Sequence, residues 1–225
     1  MGRLLRWLVA GNPTLTTLLK RAEKAILHCP AGDVRQLGLL RLLTGDATGA
    51  ADLLARAPGL GWSSARHPGH VLFPAFTSLL AGKRRTKLRS ELSARLQEVS
   101  GSLFDLALDS PSPARPKLTT PSIAALIALA RPGAGIDERG RAGMLDAMQV
   151  AATKRVAGIL GHKRRRHYDH AAILIACCFE LAPTVGKQEK VSEWIVQLRK
   201  QYMRFYAFQA ELRSALAASA SRALG

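Results

Sequence analysis

The sequence predicts an all-α fold of stacked antiparallel helical hairpins in two halves, and three observations carry that prediction. Of 225 residues, 48% are hydrophobic and only 5% aromatic; Ala and Leu, the strongest helix formers, supply most of the apolar share. Apolar residues recur at three- and four-residue spacing through most of the chain. No window alternates apolar with polar residues, so no sheet is expected, and Gly and Pro mostly fall between the periodic stretches.

The helices follow in order. In TLTTLLKRAEKAILHC, Leu15, Leu18, Leu19, Ala22, Ile26 and Cys29 share one face, with a start at Asn12-Pro13-Thr14 and a stop at Pro30. DVRQLGLLRLLTGDATGAADLLARAPG reads as two short helices joined at Thr44-Gly45-Asp46, where Gly45 ends the first and Asp46 caps the second. Pro58-Gly59 closes the pair. GLGWSSARHPGH is a loop around a Trp62 expected to be buried. VLFPAFTSLLAG is a helix bent or begun near Pro74.

KRRTKLRSELSARLQEVSGSLFDLAL is amphipathic with a cationic outer face. Between Lys83 and Arg95 it carries six Lys or Arg and one acid, Glu91. DSPSPARPKLTTPS has four prolines and marks an extended linker. The chain therefore divides into N-terminal helical hairpins (1–108), a Pro-rich linker (109–122) and a C-terminal helical bundle (123–225). The last part opens with IAALIALA, breaks at RPGAG and continues as a long helix from Asp137 to about Leu160. Three more helices are expected, at about Arg165–Leu181, Gln188–Tyr202 and Phe205–Leu216.

In the hairpin at 33–57, Gly38 admits a close neighbour, Ala50 is small at the crossing, and Leu54 fills the groove between helices. Leu37, Gly38, Ala50, Leu54 and Ala57 resemble a tetratricopeptide repeat, although the large residue expected at Arg41 is missing and the closing proline comes early, at Pro58. A second likeness lies between His162 and Leu216. There a basic stretch and Tyr precede an Ala- and Cys-rich helix, and an acidic-aromatic helix ending in Leu-Arg precedes a helix with Phe and Glu-Leu. Arg165, Tyr168, Ala171, Ala172, Ala176, Leu198, Arg199, Phe208, Glu211 and Leu212 make this region similar to the C-terminal helices of SWIM zinc-finger proteins. The zinc module itself, Cys-x-Cys followed by Cys-x-His, is absent, so neither zinc nor the module's functions carry over.

Charge narrows the partners. Thirty-three Lys and Arg against 16 Asp and Glu give a formal net charge of +17, the balance of a polyanion binder or of a strongly solvated surface. Two clusters concentrate it: Lys83, Arg84, Arg85, Lys87 and Arg89, and Lys163, Arg164, Arg165 and Arg166. The second is expected to follow a helix C-terminus near Gly161–Arg164, where the helix dipole favours cations. Tyr168, beside His167, is its candidate base-stacking residue.

Metal and catalytic chemistry find less support. His167, His170 and Cys177 lie roughly on one helical face, but seven residues separate His170 from Cys177. That is about 10 Å along the axis, whereas zinc needs all ligands within about 2.0–2.3 Å of one point. Cys177 and Cys178 are expected as buried packing; no metal and no cofactor is predicted. His67 and His70 flank Pro68-Gly69 without a nucleophile or acid at a telling spacing, and no nucleotide, hydrolase or metalloprotease motif occurs. The chain reads as no enzyme.

Three cysteines make no disulfide framework. No run approaches the roughly 18–20 apolar residues of a membrane helix, and the N-terminus lacks a secretory signal. A reducing, intracellular, cytoplasmic setting is expected, with no membrane partner. The leading expectation is an interaction scaffold that binds a protein partner in a helical groove. The alternative is an accessory protein that binds DNA or RNA through the phosphate backbone, independently of sequence.

Overall fold

A computed structural model describes Thr17 and residues 34–62, 67–81 and 135–223. The described residues are all-helical: seven α-helices and two 3-10 turns, with no strand. Apart from Thr17, the helix expected at 14–29 lies outside the described residues, as do the cationic helix expected after Lys83 and the linker expected at 109–122.

Helix α1 (Val34–Leu43) and helix α2 (Ala47–Arg56) form the expected hairpin. Gly45 has φ +87°. Its N–H bonds Leu42 O while that of Asp46 bonds Arg41 O, closing a Schellman turn that a Cβ would strain. Asp46 then caps α2, its carboxylate accepting from Gly49 N at 2.8 Å. Gly38 does admit a close neighbour, but that neighbour is Leu72 of the next helix, whose side chain a Cβ at 38 would meet at 2.8 Å.

Helix α3 (Gly69–Ala81) begins five residues before Pro74 and carries the proline inside it. Val71 to Thr77 are all buried, so packing on every side outweighs the lost backbone bond. Helix α4 (Glu138–Gly161) is capped by Asp137, whose Oδ1 accepts from Gly140 N at 2.7 Å. Helix α5 (Tyr168–Leu181) follows a 3-10 turn at Arg165–His167. A second 3-10 turn, Ala182–Val185, leads to α6 (Gln188–Gln201), and α7 spans Tyr206–Ala223. α7 continues past the expected end near Leu216, held there by a Ser219 hydroxyl that bonds Glu180 Oε2 at 3.3 Å.

Residues of α1–α3 and of α4–α7 share one hydrophobic core, and cations of α4 join them. Lys154 Nζ donates to Ala55 O at 2.7 Å and Ala57 O at 3.4 Å at the end of α2. The Arg141 guanidinium donates to Leu80 O at 3.1 Å at the end of α3. Each cation meets carbonyls that a helix leaves unpaired at its negative end. On the other flank, the Trp194 indole N–H donates to Thr153 Oγ1 at 3.0 Å and ties α6 to α4.

Within Arg165–Val185 an 18-residue window reaches a mean hydropathy of 1.2, and by length and composition alone this helical stretch could cross a membrane. This amends the expectation that no stretch approaches that size. However, 61% of the window is buried within the fold, where Ala171, Ile175 and Cys178 are core residues. That is the signature of a central helix in a helical bundle.

Candidate nucleic-acid interface

The cluster Lys163–Arg166 follows directly from how α4 ends. Arg164 N bonds Ile159 O at 2.9 Å and Lys163 N bonds Leu160 O at 3.1 Å, the pattern of a Schellman turn with Lys163 in the position glycine usually holds. Lys163 accordingly has φ +50°. The chain reverses within a few residues, and Lys163, Arg164, Arg165 and Arg166 are all exposed at the start of α5. The expected arrangement, cations beyond a helix C-terminus followed by a tight turn, is the observed one.

Tyr168 is elsewhere. It is 5% exposed, its ring edge-on to Phe208 of α7 with centroids 6.0 Å apart. The ring belongs to the core and offers no stacking surface, because the first turn of α5 is where α7 covers it. Lys83, Arg84, Arg85, Lys87 and Arg89 lie outside the described residues.

The Tyr168–Phe208 contact has a larger consequence. It joins the first residue of α5 to the third of α7, while Glu180 and Ser219 join the two helices near their far ends. Helices α5 and α7 therefore run parallel. Their N-termini lie side by side, at the end where α4 and α6 finish. Gln209 secures that corner, its amide donating to Arg199 O and Tyr202 O, each at 3.2 Å.

Arg199, Lys200 and Arg204, all exposed, thus join Lys163–Arg166 at one end of the bundle. None of these seven forms an ion pair with a described acidic side chain. The exposed acid beside them is Asp169 in the first turn of α5. Met203 and Tyr206 occupy the same corner at 66% and 81% exposure. A shallow cleft of about 430 Å³ lies there, lined by Val196, Arg199, Lys200, Met203 and Gln209. Sequence reasoning passed over Met203 and Tyr206. The available signal was position: Phe208, Leu212 and Ala215 set the buried stripe of α7, and Tyr206 falls off it.

Near this end, Trp62 lies 4.8 Å from the stacked ring of His67 and 5.3 Å from the edge-on ring of His170. Both ring nitrogens of His67 are engaged by backbone groups, Nδ1 with Gly69 N at 3.0 Å and Nε2 with Pro58 O at 2.8 Å. Arg155, 4% exposed, approaches His170 Nδ1 at 3.3 Å and Gly59 O at 3.4 Å. These groups build the junction between the α1–α3 part and α4–α5. Among the described residues no group of three or more His, Cys, Asp or Glu side chains is placed to hold a metal ion.

Comparison with known proteins finds no matching family model, no matching characterised protein and no matching solved structure.

Proposed function

We propose that the chain is a non-catalytic helical binding protein that grips nucleic acid through its phosphate backbone, at the end of the bundle where α4 and α6 finish and α5 and α7 begin. The observation that carries this reading is the parallel pairing of α5 and α7, which gathers seven exposed cations from three stretches of chain. Their negative neighbours are few, and the C-termini of α4 and α6 offset the positive N-terminal ends of α5 and α7 that meet them there. Binding by such a surface releases counterions from the nucleic acid and does not depend on base sequence. The adjacent buried cysteines Cys177 and Cys178 suit a reducing, cytoplasmic setting.

The test is fluorescence anisotropy of labelled DNA and RNA, single-stranded and duplex, from about 50 to 300 mM salt. With about five phosphate contacts on a single strand, log affinity falls against log salt with a slope near −3.5. Changing Lys163, Arg164, Arg165 and Arg166 together to Gln flattens that slope. Absence of binding at the lowest salt, despite the net charge, would sink the reading.

A protein-binding scaffold is the second reading, and the cleft between α6 and α7 favours it. Exposed Val196 and Met203 beside Arg199 and Lys200 suit an acidic segment with an apolar anchor. The tetratricopeptide-like hairpin at α1–α2 and the SWIM-like C-terminal helices fit a role as an assembly partner. A partner of that kind is weakened by Met203→Ser, which removes the apolar anchor, whereas phosphate-backbone binding keeps its strength because the cations are untouched.

A further inference from the structure

We propose that the nucleic acid held at this end is single-stranded, with a base stacked on the exposed ring of Tyr206. The inference rests on the nucleic-acid reading and adds the class of strand.

Tyr206 begins α7 two residues before Phe208, and two residues turn a helix by about 200°. Phe208 is fully buried against α5, so Tyr206 faces away from α5. The residue is 81% exposed and packs no core. A lone exposed apolar side chain needs no explanation. Tyr206 is not alone, since Met203 is 66% and Val196 49% exposed at the same corner, with Arg199, Lys200 and Arg204 around them.

Packed helices lie about 8–10 Å apart. The segments 163–168 and 203–208 therefore fit within the footprint of a few nucleotides, against the roughly 4–16 that a single-strand site spans. An aromatic face flanked by cations is what a single strand can use, because its bases present open π-faces while its phosphates reach the cations. A duplex hides its base faces in the stack and meets only the cations.

The probes are labelled oligothymidylate and a mixed-sequence duplex, each about 20 nucleotides long so as to exceed a single-strand site. Wild type, Tyr206→Ala, Tyr206→Phe and the Gln variant of Lys163–Arg166 are compared, each checked by thermal melting. Because Tyr206 lies outside the core, its variants melt with the wild type. The single strand binds more tightly than the duplex, and Tyr206→Ala weakens it about tenfold. Its salt slope and the duplex affinity stay unchanged, and Tyr206→Phe keeps wild-type affinity. If Tyr206→Ala leaves single-strand affinity intact, or weakens both probes alike, stacking is overturned while backbone binding survives. If neither probe binds, or only an acidic peptide competes for the surface, both readings fall together.

Discussion

His67 stacks on Trp62 at 4.8 Å while its two ring nitrogens engage the backbone of Pro58 and Gly69. A backbone N–H donates to Nδ1, so the ring proton resides on Nε2 and donates to the Pro58 carbonyl. That neutral tautomer satisfies every polar atom of the ring. A second proton on Nδ1 would face the Gly69 N–H, donor against donor. Burial, reinforced by the charge of Arg155 and opposed by the bond to Pro58, holds the His67 pKa below its ordinary 6.5.

The folded state therefore resists protonating His67 more than the unfolded chain does. Its contribution is fully present above the unfolded pKa, about 6.5, and is lost as pH falls toward the lowered folded value. We expect the urea midpoint to drop between about pH 7.5 and pH 5.5. His67→Ala destabilises the protein by roughly 2–4 kcal/mol at neutral pH, because it strands a buried donor and acceptor and leaves a cavity beside Trp62. The same variant shows a smaller pH-dependent drop. An undiminished drop would assign the acid sensitivity to other groups.

Lys163 is the one described non-glycine residue with positive φ. An L residue loses about 1–2 kcal/mol in that conformation, and a cation at a helix C-terminus regains about 0.3–1 kcal/mol. Lys163→Gly should therefore stabilise the fold by roughly 0.5–1 kcal/mol, while Lys163→Ala keeps the strain and loses the charge. Denaturant titration separates the two. Strain retained where the cations cluster fits a residue kept for binding, and a destabilised glycine variant would remove that argument.

What was legible in the sequence was local. The Gly45–Asp46 turn and the reversal after Gly161 are written in a few adjacent residues, so spacing and cap chemistry sufficed. Partner choice was not. Gly38 announced a close approach without saying that Leu72 makes it, and Pro74 gave no sign that burial on all sides would keep it within a helix. The parallel pairing of α5 and α7 joins residues 40 positions apart through small side chains and one aromatic contact. No periodicity encodes which face meets which, and so Tyr168 was expected at the surface while Tyr206 went unremarked.

Gly59 tests the junction between α2 and α4. A Cβ there would collide with the backbone carbonyl of Lys154, which cannot swing aside as a side chain can. Gly59→Ala is expected to cost about 1–3 kcal/mol as overpacking. Gly143, inside α4, has nothing within 4 Å of an added Cβ. Gly143→Ala should stabilise by roughly 0.5–1 kcal/mol through helix propensity and a less flexible unfolded chain. Opposite signs from the same substitution, read by thermal melting, check the close approach; equal effects would contradict it.

Cys177 and Cys178 lie on α5, which is covered by α4 and α7, and are 4% and 0% exposed. Burial, with the neighbouring Cys177 adding to it, raises the Cys178 pKa well above the ordinary 9.0, so little reactive thiolate exists at neutral pH. Their reaction with a thiol reagent therefore waits on opening of the core rather than on local fraying. In a Cys29→Ser background, which leaves these two thiols alone, labelling of the native protein should run about a thousandfold or more slower than in urea. Both thiols should appear together as the fold opens, since one helix carries them into the same core. Rapid labelling of either thiol in the native state would mean that α5 is not the covered helix that the pairing of Tyr168 with Phe208 requires.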